Sequence, residues 1–388
     1  MATTINPSMT DAAAVGADPQ DADKADKKDA KNERGSLRPV LDVIPPEAYE
    51  NPTWKGLAYF ARDLALYAFA MWGLFTFANP LIVAPFLVLS ALVISGLFIV
   101  AHDAAHGALF KSERMASIVG HIAMLPGWHV YEGWKLGHNR VHHHYTVRQD
   151  FDFVWHPYTA EQYVAMNRFQ RARHRFEWSW AGAGVYYVRE IWWKRMAFGE
   201  PPKRWQAKIR RDRFIVLGFV AVASFALIAY GVAAGLGVLG TAWLVARVVF
   251  LPFLAFGYVI GSFVHVHHIQ PGIRWWKRRE WTKWHGQMEG TTVLRVNPVL
   301  NFFVHWIMVH VPHHVDVRIP MYNLELATDA IEEAFPGVIH DEHLSFRDYM
   351  ANTRVCKLYD FEEGRWLSYA EALATAPVAP APEAPAAA

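Results

Sequence analysis

LALYAFAMWGLFTFANPLIVAPFLVLSALVISGLFIVA, running from Leu64 to Ala101, contains no Asp, Glu, Lys, Arg or His. A helix crosses a bilayer with roughly 20 residues, so an uncharged run of this length is read as two spans that fold back on each other. Asn79-Pro80 lies near its middle and is a turn signal, giving spans of about 64–78 and 81–101. A second apolar block, Phe214 to Val264, is broken only by Arg247 and the glycine-rich Gly235–Gly240. It divides in the same way into spans of about 214–234 and 241–264. The sequence therefore predicts an all-α integral membrane protein with four transmembrane helices in two hairpins.

The chain outside these blocks completes that outline. Residues 1–37 are rich in Ala, Asp and Lys and lack the basic-then-apolar order of a secretory signal, so they read as a disordered tail. Residues 375–388 are Ala/Pro low complexity and read the same way. Residues 38–374 are left as one membrane domain. Its single cysteine, Cys356, excludes disulfides and cysteine-ligated clusters within this sequence.

Orientation follows from Lys and Arg. Both short turns have none, whereas Lys111–Arg213 holds 18 and Arg274–Lys283 adds a dense cluster. The positive-inside rule then places both termini and the central and C-terminal regions in the cytosol, which for a bacterial chain means an inner-membrane protein with a cytosolic helical cap. Arg247, near the outer end of the fourth span, is expected to snorkel to the headgroups. The segment Tyr163–Trp205 mixes basic residues with Trp178, Trp180, Tyr186, Tyr187, Trp192, Trp193 and Trp205, a composition expected of helices lying in the interface plane. Aromatic–basic mixtures also bind nucleic acid, but the flanking spans argue against a nucleic-acid partner.

The chain has 20 histidines, and most stand in groups. His102 and His106 form HxxxH directly after the second span, a spacing that puts both rings on one face of a continuing helix. His138, His142 and His143 form HxxxHH; His310, His313 and His314 form HxxHH; and His265-Val-His-His268 closes the fourth span. All four groups fall on the cytosolic side and can converge. Imidazole suits Zn, Cu, Fe and Ni alike. Eight or nine neutral nitrogens exceed what one ion uses, and catalytic zinc sites stop at three protein ligands, so a pair of ions in a histidine-rich centre is the natural reading. His144, His265, His267 and His305 stand near the boxes and are read as polar packing or as partners that orient a ligand. His121, His129, His156, His174, His285, His340 and His343 have no partner pattern and are not expected to bind metal. A metal transporter would need a polar path through its spans, and Leu64–Ala101 and Phe214–Ala246 carry no charged residue to make one.

From Ala58 to Phe335 the chain resembles the membrane fatty acid desaturase superfamily, in particular the bacterial and plastid-type acyl-lipid ω-6 (Δ12) desaturases. The matching pieces are His102-Asp-Ala-Ala-His106-Gly, Val119-Gly-His-Ile-Ala123, Trp134 through Thr146, Asp152 through Pro157, His267-His-Ile-Gln-Pro271, and His310-Val-Pro-His-His314 with Ile319-Pro-Met-Tyr-Asn-Leu324. The resemblance implies two iron ions held by His102, His106, His138, His142, His143, His268, His310, His313 and His314. It further implies O₂ as co-substrate and a cis double bond introduced into a fatty acyl lipid. In one respect the chain departs from that pattern: the family's second box is usually HxxHH, and HxxxHH looks like the box of integral-membrane alkane hydroxylases. Hydroxylation of an alkane, fatty acid or carotenoid is accordingly the alternative activity.

Reduction of O₂ needs two electrons from outside. The sequence contains no cytochrome b5 haem motif, cysteine cluster or flavin fingerprint, so a separate ferredoxin-like or cytochrome b5-like donor is expected. Lys203–Arg213 and Arg274–Lys283 are the candidate surfaces for an acidic carrier.

Overall fold

A computed structural model describes residues 35–343 and 345–375. Apart from 35–37 and 375, the two expected tails lie outside these residues. Four long helices organise the rest: α1 (Thr53–Thr76), α2 (Pro80–His106), α3 (Lys203–Ala233) and α4 (Gly237–His268). Three of them, α2, α3 and α4, are long and apolar enough to cross a membrane. α1 starts 11 residues before its expected span and carries Lys55, Arg62 and Asp63 in its first half, which leaves only its second half uncharged.

Local chemistry sets the helix ends that matter. Asn79 caps α2, its Oδ1 accepting the Leu81 N–H at 2.9 Å, with Pro80 at the first helical position. Gly107, at φ 76°, stops α2 one residue after His106. The first histidine box therefore occupies the last turns of a helix whose preceding turns, from Ser90 onward, are buried.

Arg247 does not snorkel. It sits in a π-helical turn of α4, Ala246–Phe250, and is 5% exposed. Its Nε donates to Leu74 O at 2.7 Å and its Nη2 to Phe75 O at 3.2 Å. These are terminal carbonyls of α1, which have no partner within their own helix and mark its negative end. The guanidinium supplies what water cannot supply there.

The Tyr163–Trp205 segment also differs from expectation. Trp178, Tyr186, Tyr187 and Trp192 are buried, and only Trp180 and Trp193 among the named aromatics are exposed. The segment packs against α4 through glycines. A Cβ on Gly184 would sit 2.7 Å from Tyr258 Cα, and one on Gly261 would sit 2.6 Å from Ala183 O. With backbones this close, the aromatic rings fill the space beside the crossing, as where Trp155 stacks on Tyr186 at 3.8 Å.

The fold is mostly helical rather than all-α. Thr292–Arg295 pairs in parallel with His340–His343, and Leu358–Asp360 pairs antiparallel with Arg365–Leu367. The first ribbon steadies the third box, since Leu294 N donates to Met308 O at 2.9 Å and anchors the backbone just ahead of His310.

Arg247→Met removes the partner of two helix-end carbonyls, one of them buried. It is expected to lower stability by about 2 kcal/mol, the size of a hydrogen-bond loss at a charged group. Thermal unfolding in detergent checks this, and an unchanged midpoint would contradict the capping role.

Candidate metal centre

The structure brings all nine predicted histidines into one cluster, in which His106 and His138 are half-buried and the others buried. His102, His106, His138, His143 and His313 form one group whose ligand atoms lie within 4.8 Å of one another, and His142, His268 and His314 form a second. His310 belongs to neither group, yet its ring centroid is 4.6 Å from that of His314 and 5.1 Å from that of His313. The two groups meet where His143 stacks on His314 at 4.3 Å.

The second box is held by backbone geometry that spacing alone does not reveal. Leu136–His142 is a π-helix, in which hydrogen bonds run from i to i+5 and one more residue fits into each turn. His138 and His143, five apart, therefore point into the first group, while His142 turns to the second. The extra residue of HxxxHH is absorbed by the wider turn, and the box presents its rings much as a shorter HxxHH would on an α-helix.

Ring orientation is fixed from outside. His102 donates from Nδ1 to Asp103 Oδ1 at 2.9 Å, His142 to Asp152 Oδ1 at 3.0 Å, His268 to Gly290 O at 2.9 Å and His314 to Gln287 Oε1 at 2.9 Å. A proton on Nδ1 leaves the Nε2 lone pair free, aimed inward. Asp152 is itself held by the Val147 and Val154 N–H groups at 2.9 and 3.1 Å. Asp103 accepts from Met321 N at 2.6 Å, which ties the first box to the Ile-Pro-Met-Tyr-Asn-Leu stretch beyond the third. Gln287 also donates to His143 O at 2.7 Å and so connects two boxes.

The inner nitrogens suit a cation. Nε2 of His138 lies 3.1 Å from Nε2 of His102 and 3.0 Å from Nε2 of His143, and His143 and His313 face each other at 3.2 Å. Both nitrogens of His106, Nδ1 of His143, Nδ1 of His310 and Nε2 of His314 are buried without a hydrogen-bond partner. Orphaned polar atoms in such number are costly unless something positive sits among them. Burial, reinforced by the neighbouring rings, holds His138, His143, His310, His313 and His314 well below the usual histidine range. They are neutral at pH 7, as metal ligands must be. Burial alone would raise Asp152, but His142 and the Val147 N–H outweigh it and keep the carboxylate ionised.

The remaining histidines have other roles. His305 is joined to α1, its Nε2 donating to Asp63 Oδ2 at 2.5 Å while Nδ1 accepts from Arg62 at 3.1 Å. His144 donates to Asn139 O at 3.0 Å, and His265 lies edge-on to Trp155 at 4.8 Å, away from both groups. His267 is closer, stacked on His310 at 4.0 Å. His121 pairs with Asp212, His129 with Tyr187, His174 with Tyr369 and His285 with Glu289, while His156 accepts from Asp150 N. Sequence reasoning passes over Asp103, Asp152, Gln287 and Gly290. The two aspartates carry a signal, because each lies in a stretch that matches the family, but Gln287 and Gly290 carry none.

Two cavities meet at the cluster. One is apolar and is lined by Phe98, Ile99, Trp134, Ile191, Met196, Ile260, Phe263 and Val264 together with His102, His138, His142, His267, His268 and His310. The other is polar and reaches His106, His143 and His314 between Lys135, Asn139, Arg140 and Lys208.

Fold and site thus define a membrane protein with a histidine-rich centre able to hold metal. The chain matches the fatty acid desaturase family over residues 78–343 and belongs to it. It is 30% identical over 344 residues to the sn-1 oleoyl-lipid 12-desaturase of Picosynechococcus sp., covering 86% of this chain and 93% of that protein. It is 26% identical to the sn-1 oleoyl-lipid 12-desaturase of Anabaena variabilis, covering 87% and 94%. With the chloroplastic omega-6 fatty acid desaturase of Arabidopsis thaliana the identity is 28%, covering 85% and 71%. The chain is an enzyme of fatty acid desaturation.

Asp152→Ala leaves His142 free to turn. Iron affinity, measured by competition with a chelator, is expected to fall by about 10- to 100-fold, whereas Asp360→Ala, in the far ribbon, should leave it unchanged.

Proposed function

We propose that this enzyme introduces a cis double bond at the Δ12 (ω-6) position of a fatty acyl chain carried on a membrane lipid, using O₂ and two external electrons. The substrate assignment is supported by the three relatives above, whose names specify oleoyl-lipid 12- or omega-6 desaturation. The observation that carries the chemistry is the position of the histidine cluster between an apolar cavity and a polar one.

A mid-chain methylene has no acidic proton, leaving group or dipole, so acid–base residues have nothing to act on. His102, His106, His138, His142, His143, His268, His310, His313 and His314 are the residues that would hold a pair of irons, and iron so bound supplies the O₂ activation that this bond requires. The protein's own share is positional. Phe98, Ile99, Trp134 and Ile260 exclude water from the apolar cavity and hold the chain by contact alone. Asp103, Asp152 and Gln287 fix the rings, so that the reacting carbons meet one rigid geometry. Two hydrogens leave adjacent carbons, and O₂ leaves as two waters.

On this reading α1 to α4 all cross the bilayer as two hairpins, with both termini and the centre on the cytosolic face of a bacterial inner membrane. The lysines and arginines between α2 and α3, against none in the two hairpin turns, support this orientation.

The test is expression in a host that lacks polyunsaturated lipids, followed by gas chromatography of its fatty acid methyl esters. A new diene derived from oleate is expected, whereas a hydroxylated chain or no product would overturn the reading. In the same assay His106→Ala, His143→Ala, His268→Ala and His314→Ala should each abolish the diene, while His121→Ala and His340→Ala retain it. If His267→Ala abolishes product and His268→Ala does not, the ligand at the end of α4 is His267.

A further inference from the structure

The two basic clusters marked in the sequence differ once the structure is in view. In the Arg274–Lys283 cluster, Arg274 pairs with Glu280 at 3.5 Å and lies over the Trp276 ring, and Lys277 pairs with Glu362. Two of its five cations are thus paired with carboxylates, and Lys283 lines the edge of the polar cavity. The start of α3 reaches further around that opening: Lys208 lines the polar cavity and, with Arg140, Arg204 and Trp205, also a second hollow beside it. Arg140, Arg204 and Lys208 are exposed. Arg140 stands in the π-helix between His138 and His142, so this basic surface begins directly above the cluster and continues onto α3.

Helix geometry separates two roles along α3. The apolar part begins at Phe214. At 1.5 Å per residue, Arg210, Arg211 and Arg213 stand within about 6 Å of it, Lys208 at about 9 Å and Arg204 at about 15 Å. The headgroup layer is roughly 5–8 Å deep on each side of the hydrocarbon. Of the three arginines at headgroup depth, Arg211 pairs with Asp212 and Arg213 donates to Met196 O and Gly199 O, which leaves Arg210 facing outward, while Lys208 and Arg204 lie beyond that depth.

We propose that an acidic one-electron carrier protein docks on Arg140, Arg204 and Lys208 over the polar cavity and delivers its electron to the centre by way of the side formed by His106 and His143. The inference rests on the desaturase reading, because that reaction creates the demand. One –CH₂–CH₂– unit, one O₂, two electrons and two protons give –CH=CH– and two waters. Two carriers are each oxidised by one electron per turnover. Complementary charge speeds such encounters and makes them sensitive to salt.

The experiment uses the full chain in phosphatidylcholine nanodiscs, which carry no net charge, with a plant-type [2Fe–2S] ferredoxin as the probe. Binding is measured directly, and olefin formation is measured with reduced ferredoxin and O₂. It is also measured with hydrogen peroxide, which brings both electrons and the oxygen by itself. The double variant Arg204→Glu/Lys208→Glu is expected to weaken ferredoxin binding by about tenfold or more. Arg279→Glu in the other cluster should leave it unchanged, and wild-type binding should fade toward about 1 M salt, where charges are screened within roughly 3 Å. Peroxide-driven olefin formation in the double variant should match wild type. Unchanged ferredoxin binding in the double variant would overturn the docking site. A binding defect seen only in anionic vesicles would overturn it too, assigning these residues to lipid headgroups. Charge-dependent binding without olefin from any source of electrons would uphold the docking and refute the desaturase reading instead.

Discussion

Burying nine imidazoles against one another requires that charge in the cluster be suppressed and that rings be held to set directions. Charged rings would repel one another in a medium that screens poorly, and a ring free to flip would present a proton where a lone pair is needed. Burial answers the first need at His138, His143, His310, His313 and His314, and the hydrogen bonds from Nδ1 of His102, His142, His268 and His314 to Asp103, Asp152, Gly290 and Gln287 answer the second for four of the rings. Much of the surrounding structure can be traced to the placement of these four acceptors. Asp103 is on α2 beside its histidine, Asp152 is held in a tight loop by two backbone N–H groups, and Gly290 and Gln287 lie just ahead of the ribbon strand Thr292–Arg295.

This arrangement gives the centre two unlike sides. Toward the membrane, α2 and α4 continue as Phe98, Ile99, Ile260, Phe263 and Val264, which make a surface suited to methylene groups and nothing else. Toward the other side, Lys135, Asn139, Arg140 and Lys208 surround His106 and His143. An oxidation of hydrocarbon that draws electrons from a soluble protein needs both: a dry side where an unreactive bond is held, and a wet side that a carrier can approach.

How far the sequence could be read depended on whether a feature was local. The first box was legible because a spacing of four on a helix that continues past Ala101 leaves little choice. The ends of α1 were not: the expected span began where Asp63 ends, but the helix runs back to Thr53 because Asp63 is buried and answered by Arg62 and His305, a pairing 242 residues distant in the chain. Arg247 was misread for the same reason, since its partners at Leu74 and Phe75 belong to another helix. The aromatics of Tyr163–Trp205 look interfacial by composition, and only the glycine contacts at Gly184 and Gly261 reveal that they pack into the core. In the second box the residues were legible, but the π-turn that divides them between two groups was not, because it is a backbone state that one inserted residue permits without announcing.

The proposed pair of irons would sit among these nine rings, with His142, His268 and His314 on one side, His102, His106, His138, His143 and His313 on the other, and His310 beside His313 and His314. The most direct measurement is metal content together with iron X-ray absorption on protein purified in detergent from an iron-replete host in which it is active. The account predicts about two irons per chain in a shell dominated by nitrogen scatterers. Stoichiometric zinc without iron, or a single iron in an oxygen-rich shell, would contradict it.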